Sequence, residues 1–257
     1  MSCCENDALD ANRFLAKIDS CFNHNDLSGA KACIKTWEQE ARKASDDKLL
    51  LTVLNEAMGL YRRTGKKAKA ISVMEECMTL LDKLNLSNTF SGATIYVNAA
   101  TTLSFCDREN EAVALYEKTE NIFKANGRTS TYEYASLLNN KAGTLNVLKR
   151  YDEAERDYLS AIDILKEIGM HDGEIAISLV MLAHITFDRV DEPDEKVYEK
   201  VENLLDEAIK YVKSDNQPKD GNFAYVLKKI APSFDYFKRP LQAKAMREKA
   251  KEIYRSA

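Results

Sequence analysis

Three histidines, six cysteines and many carboxylates are the residues with which this chain of 257 could do covalent or metal chemistry. Such chemistry needs them in sets. Zinc hydrolysis uses two histidines one helical turn apart in H-E-x-x-H, paired thiols use C-x-x-C, and phosphate binding uses a glycine-rich loop whose N–H groups face the anion. None of these patterns occurs, and neither does the G-x-S-x-G turn of a hydrolase nucleophile. His24, His171 and His184 are far apart in the sequence. Cys3, Cys4, Cys21, Cys33, Cys77 and Cys106 all fall in the first 106 residues without zinc-ligand spacing. The sequence therefore reads as a protein without catalytic residues, cofactor or metal, whose cysteines are thiols of a reducing compartment. Cys3 and Cys4 are adjacent, which could suit lipidation or redox chemistry, but the other signals of a lipid anchor are missing.

The side chains that do recur with a fixed spacing are asparagines. Asn98 and Asn140 are 42 residues apart, and Asn55 and Asn139 are two such steps apart. An asparagine both donates and accepts, so a row of them can hold a peptide backbone without reading its sequence. What must position such a row is clearest in LLNNKAGTLNVLKRYDEAERDYLSAIDILKEIG, ending at Gly169. Leu138, Ala142, Leu145 and Leu148 form one helical stripe, and Ala154, Tyr158, Ala161, Ile162 and Leu165 form another. The four residues from Lys149 to Asp152 leave room only for a hairpin, and the alanines let two antiparallel helices approach closely.

Two helices bury only one face against each other, so the hairpin needs neighbours, and its own copies supply them. Ala154 has counterparts in Ala112 and Ala70, and the turn residue Lys149 has counterparts in Asp107 and Gly65. Weaker copies flank these and divide the chain into about six hairpins, at 6–44, 47–85, 90–126, 131–169, 173–214 and 220–256. The expected fold is all-α, a single right-handed solenoid over 1–257. Within it Trp37, in the place of an alanine, marks the first hairpin as an end cap packed on one side. About six extra residues at 188–196 form an acidic turn, and Pro232 is expected to kink its helix or end it early. Asn85, Asn126 and Gly169 mark helix ends.

A helical period near 42 suits either long tetratricopeptide repeats or HEAT-type repeats, and the small-residue pattern favours the first. Paired asparagines, Ala142, the turn, Tyr151, Glu153-Ala154 and Ala161 resemble the tetratricopeptide repeat of kinesin light chains and of many bacterial proteins. Tyr61, Gly65 and Ala70 in one neighbouring hairpin, and Asn98, Ala100 and Ala112 in another, match the same pattern. The resemblance implies a scaffold whose first helix in each hairpin lines a concave groove. Carried over position by position, it makes Asn55, Asn98, Asn139, Asn140 and Asn146 the polar floor for a bound peptide. His184, Phe187 and Tyr225 become holders of an apolar side chain. The scattered Arg62, Arg63, Lys228 and Lys229 make no convincing carboxylate clamp.

Composition narrows the partner. With 37 basic and 41 acidic residues the net charge is −4, which argues against nucleic acid. No run long and apolar enough for a membrane span occurs, and the start lacks the pattern of a signal peptide. The expectation is a cytoplasmic adaptor that binds a protein or peptide in its groove, as a monomer or as a weak homodimer through its end repeats. A peptide-responsive regulator and a self-assembling structural scaffold are the alternatives.

Overall fold

The computed structural model describes residues 10–216 and 218–256. Cys3 and Cys4, with the lipid or redox chemistry they could carry, lie outside these residues. The described chain forms twelve helices: α1 (Ala11–Asn23), α2 (Leu27–Lys43), α3 (Asp47–Arg63), α4 (Lys67–Lys83), α5 (Phe90–Phe105), α6 (Glu109–Ala125), α7 (Tyr132–Val147), α8 (Tyr151–Ile168), α9 (Asp172–Asp188), α10 (Glu195–Lys213), α11 (Gly221–Tyr236) and α12 (Pro240–Ser256). There is no strand among the described residues.

Local chemistry sets both ends of these helices. Asp10, Asp26, Asp46, Thr89, Thr131, Asp194 and Asp220 each accept from a backbone N–H of the first turn, which satisfies one of the otherwise orphaned donors. The reversals use left-handed backbone. Gly65, Asp107 and Lys149, which occupy one position of the repeat, have φ of +70°, +61° and +58°. Asn85 and Gly169 are also left-handed, as helix ends favour. After α6 the left-handed residue is Gly127 rather than Asn126, whose φ is −92°. Glycine lacks the Cβ that opposes this conformation, so it takes the role when adjacent to asparagine.

Consecutive helices pair as antiparallel hairpins, and the repeated alanines Ala70, Ala112 and Ala154 are fully buried, as are Ala100 and Ala142. α2 packs on α3, α4 on α5, α6 on α7 and α8 on α9, so an outer helix seals the next inner one. α10 and α11 do not pack along each other in this way; α11 is joined to the array through α9. The odd-numbered helices touch in succession, and α11 also touches α1, so the six inner helices form a closed circuit. The first hairpin is therefore not covered on one side only, as Trp37 had implied. Trp37 instead packs on Phe14 with ring centroids 5.7 Å apart, and α1 is free to meet α11.

Two local expectations meet different outcomes. α11 does not end at Pro232 but runs to Tyr236. Proline removes one backbone bond, to the carbonyl of Lys228, and both residues lie on the exposed face where water can serve that carbonyl. The extra residues after α9 form an exposed turn, and Asp194 starts α10 by accepting from Val197 N–H at 2.9 Å.

Candidate protein-binding surface

The inner helices carry a polar track in the first half of the array and an aromatic cluster at its far end. The track is knit across repeats. Asn98 Nδ2 donates to Asn55 Oδ1 at 2.9 Å, and Asn55 Nδ2 donates to Glu56 at 3.1 Å. Arg62 donates to the Asn98 carbonyl at 3.1 Å, to Asn98 Oδ1 at 3.2 Å and to Thr102 Oγ1 at 2.9 Å. Burial pulls the guanidinium pKa of Arg62 down and pushes the carboxyl of Glu56 up, so both charges sit where water is scarce. Asn55 and Asn98 thus fasten α3 to α5.

On α7 the asparagines are less committed. Asn139 Oδ1 accepts from Ser178 Oγ of α9 at 2.8 Å, which uses one of its two lone pairs. Asn140 Nδ2 reaches Ser136 Oγ at 3.4 Å, a long contact that uses one of its two N–H groups. Asn146 Oδ1 is buried without a hydrogen-bond partner. The Nδ2 of Asn139 and the Oδ1 of Asn140 make no hydrogen bond among the described residues.

His184 and Phe187, one turn apart on α9, come together with the end of α11. His184 Nε2 shares a hydrogen bond with Ser233 Oγ at 2.9 Å, and its ring lies 5.2 Å from Tyr236 and 4.8 Å from Phe237. Phe187 lies between Tyr236 at 6.0 Å, Phe237 at 5.8 Å and Tyr198 of α10 at 5.9 Å. Tyr198 and Tyr236 remain 52% and 51% exposed, so two tyrosines of the cluster are open to solvent. Burial holds His184 below its ordinary pKa against the opposing pull of Asp188. Burial thus favours its uncharged form, which suits an apolar surface.

Tyr225 is elsewhere. Arg63 stacks over the rings of both Tyr225 (4.6 Å) and Phe22 of α1 (4.3 Å), where the ends of the array meet. Sequence reasoning grouped Tyr225 with His184 and Phe187 and missed Tyr198. The signal for Tyr198 lay in the extra residues at 188–196, which let α10 restart with a tyrosine beside Phe187. Arg62, Arg63 and Lys228 are engaged separately, Lys228 over Tyr254 at 5.7 Å, and no carboxylate clamp is formed by them.

The described residues contain no group of three or more side chains able to hold a metal ion, and no helix long and apolar enough to cross a membrane. Residues 135–168 match the family model described as the tetratricopeptide repeat. No curated protein matches the chain. Among solved structures, BtubC (BKLC) from P. vanneervenii is similar with a TM-score of 0.57 and 17% identity, covering 95% of this chain and 91% of that one. Nearly identical TPR-like repeats of the kinesin light chain type from Podosopora anserina are similar with a TM-score of 0.54 and 15% identity, covering 79% of this chain and 94% of that one. Residues 135–168 are thus a tetratricopeptide repeat, and the hairpins around them share the solenoid fold of kinesin-light-chain-like repeat proteins.

Proposed function

We propose that the protein is a non-enzymatic adaptor that holds a segment of a partner protein against its inner face. The observation that carries this is the aromatic cluster of α9, α10 and α11, two of whose tyrosines are half exposed although three further rings support them. Such a surface offers rigid apolar contact area with hydroxyl groups at its edge, the composition of an interface anchor. The free donor of Asn139 and acceptor of Asn140 supply polar contacts to a peptide backbone, while Asn55 and Asn98 serve the scaffold. The partner is a protein or peptide rather than nucleic acid. The free thiols of Cys21, Cys33, Cys77 and Cys106 support a reducing compartment such as the cytoplasm. Because α1 and α11 cover one another, the array ends are in part withdrawn from self-assembly, which favours a monomer.

Selection of binders from a displayed random-peptide library on the full chain tests this reading. Enriched peptides should carry an apolar anchor and lose about tenfold or more in affinity for Phe187→Ala/Tyr236→Ala, the loss typical of a hot spot. Enriched peptides that bind this variant as well as the parent would place the partner surface elsewhere.

A further inference from the structure

The joints between hairpins are not alike. Where α10 and α11 fail to pack along each other, a cleft of about 710 Å³ opens between them and α12. Its wall is apolar, with Ile209 and Val212 from α10, Phe223 and Leu227 from α11, and Leu241 and Met246 from α12. Leu241 is 81% exposed, more than any other large apolar side chain of the described residues.

The rim is basic. Lys213, Lys219 and Lys249 stand around the cleft with one acid, Asp206, which Arg239 already holds at 2.6 Å. Lys219 donates to the Ser214 carbonyl and Lys249 pairs with Glu252 at 3.0 Å, an exposed contact of little strength. Lys213 has no partner among the described residues. The whole chain has a net charge of −4, so this positive rim is a local feature.

We propose that the cleft docks an acidic amphipathic helix of a partner protein. Its apolar face takes the space that α10–α11 packing leaves, and its carboxylates meet the three lysines. A trough with Leu241 in the open suits the side of a helix, whereas an acyl chain is held by an enclosed cavity. The cleft lies along the second half of α10, away from Tyr198 near that helix's start, so it is separate from the aromatic cluster.

Fluorescence anisotropy with the full chain tests the proposal, using two synthetic helices that share one leucine stripe and carry either glutamate or lysine on the polar face. The glutamate helix should bind saturably and at least about tenfold tighter than the lysine helix. Leu241→Asp should abolish binding, and Lys213→Glu/Lys249→Glu should weaken it by about tenfold or more. Phe187→Ala/Tyr236→Ala should leave it unchanged, which separates this site from the inner face. Leu241→Ala serves as the milder variant, and thermal unfolding verifies that each variant is folded. Equal binding of both helices, binding of neither, or binding that survives the Leu241 and lysine changes would overturn the proposal. So would saturable binding of dodecanoate that excludes the glutamate helix, since the occupant would then be a small anionic amphipath.

Discussion

Lys141 shows how much one residue can decide. It is 8% exposed, with its ammonium 2.7 Å from Glu120 and 3.1 Å from Asp157. Burial alone would lower its pKa, but the two carboxylates outweigh burial and hold it raised. Glu120, also paired with Lys124, stays below its ordinary value despite burial, whereas burial pushes Asp157 up. Lys141→Met would leave the carboxylates of two helices without their shared cation, and should cost about 3 kcal/mol in a urea unfolding experiment. Lys149→Gly should act the other way. At φ +58° the lysine Cβ opposes its own backbone, so glycine should add about 1 kcal/mol of stability in the same measurement. That turn was legible in the sequence, because Gly65, Asp107 and Lys149 align there and share one backbone conformation. The pair between Lys141 and Glu120 was not, because Glu120 lies on another hairpin and no local pattern names it. The same holds for the bond between Asn55 and Asn98, each of which reads equally well as a ligand contact until its partner is known.

At the scale of elements, the joint between α9 and α11 should respond to acid. His184 faces Ser233 and Tyr236 of α11, Phe237 just beyond that helix, and Asp188 on its own helix. Its folded pKa lies below the unfolded value of about 6.5. The unfolded chain then binds the extra proton first, so stability is fully present above about pH 6.5 and is lost as pH falls through the folded pKa. Denaturant midpoints measured between about pH 7 and 5 should fall less steeply for His184→Gln than for the parent, and parallel curves would exclude His184 as the cause. Helix positions were readable here because capping residues and the apolar period are local. The pairing of α9 with α11 was harder to read. The added residues at 188–196 shift the repeat, so His184 meets Ser233 and Phe187 meets Tyr236 at 49 positions' distance rather than 42.

For the whole molecule, the consequential feature is the contact that closes the circuit of inner helices. A Cβ at Gly221 would lie 2.3 Å from Asn23 Cα and 2.6 Å from Asn23 O, and backbone cannot yield as a flexible side chain does. Gly221→Ala should therefore part α1 from α11 and raise the radius of gyration in small-angle X-ray scattering; an unchanged curve would show that the closure is not held there. Nothing in the sequence announced this contact, since Asn23 and Gly221 belong to opposite ends of the chain and glycine leaves no signature of what approaches it. A solenoid could be read from hairpins and their period, whereas its curvature sums small rotations at every joint. The proposed partner surface is where α9, α10 and α11 converge. It is tested most directly by parallel affinity capture from native lysate with the parent chain, Phe187→Ala/Tyr236→Ala and the surface control Leu159→Asp, with bound proteins quantified by mass spectrometry. The expected result is a partner retained by the parent and the control and lost by the still-folded aromatic variant; partners retained equally by all three would contradict the assignment.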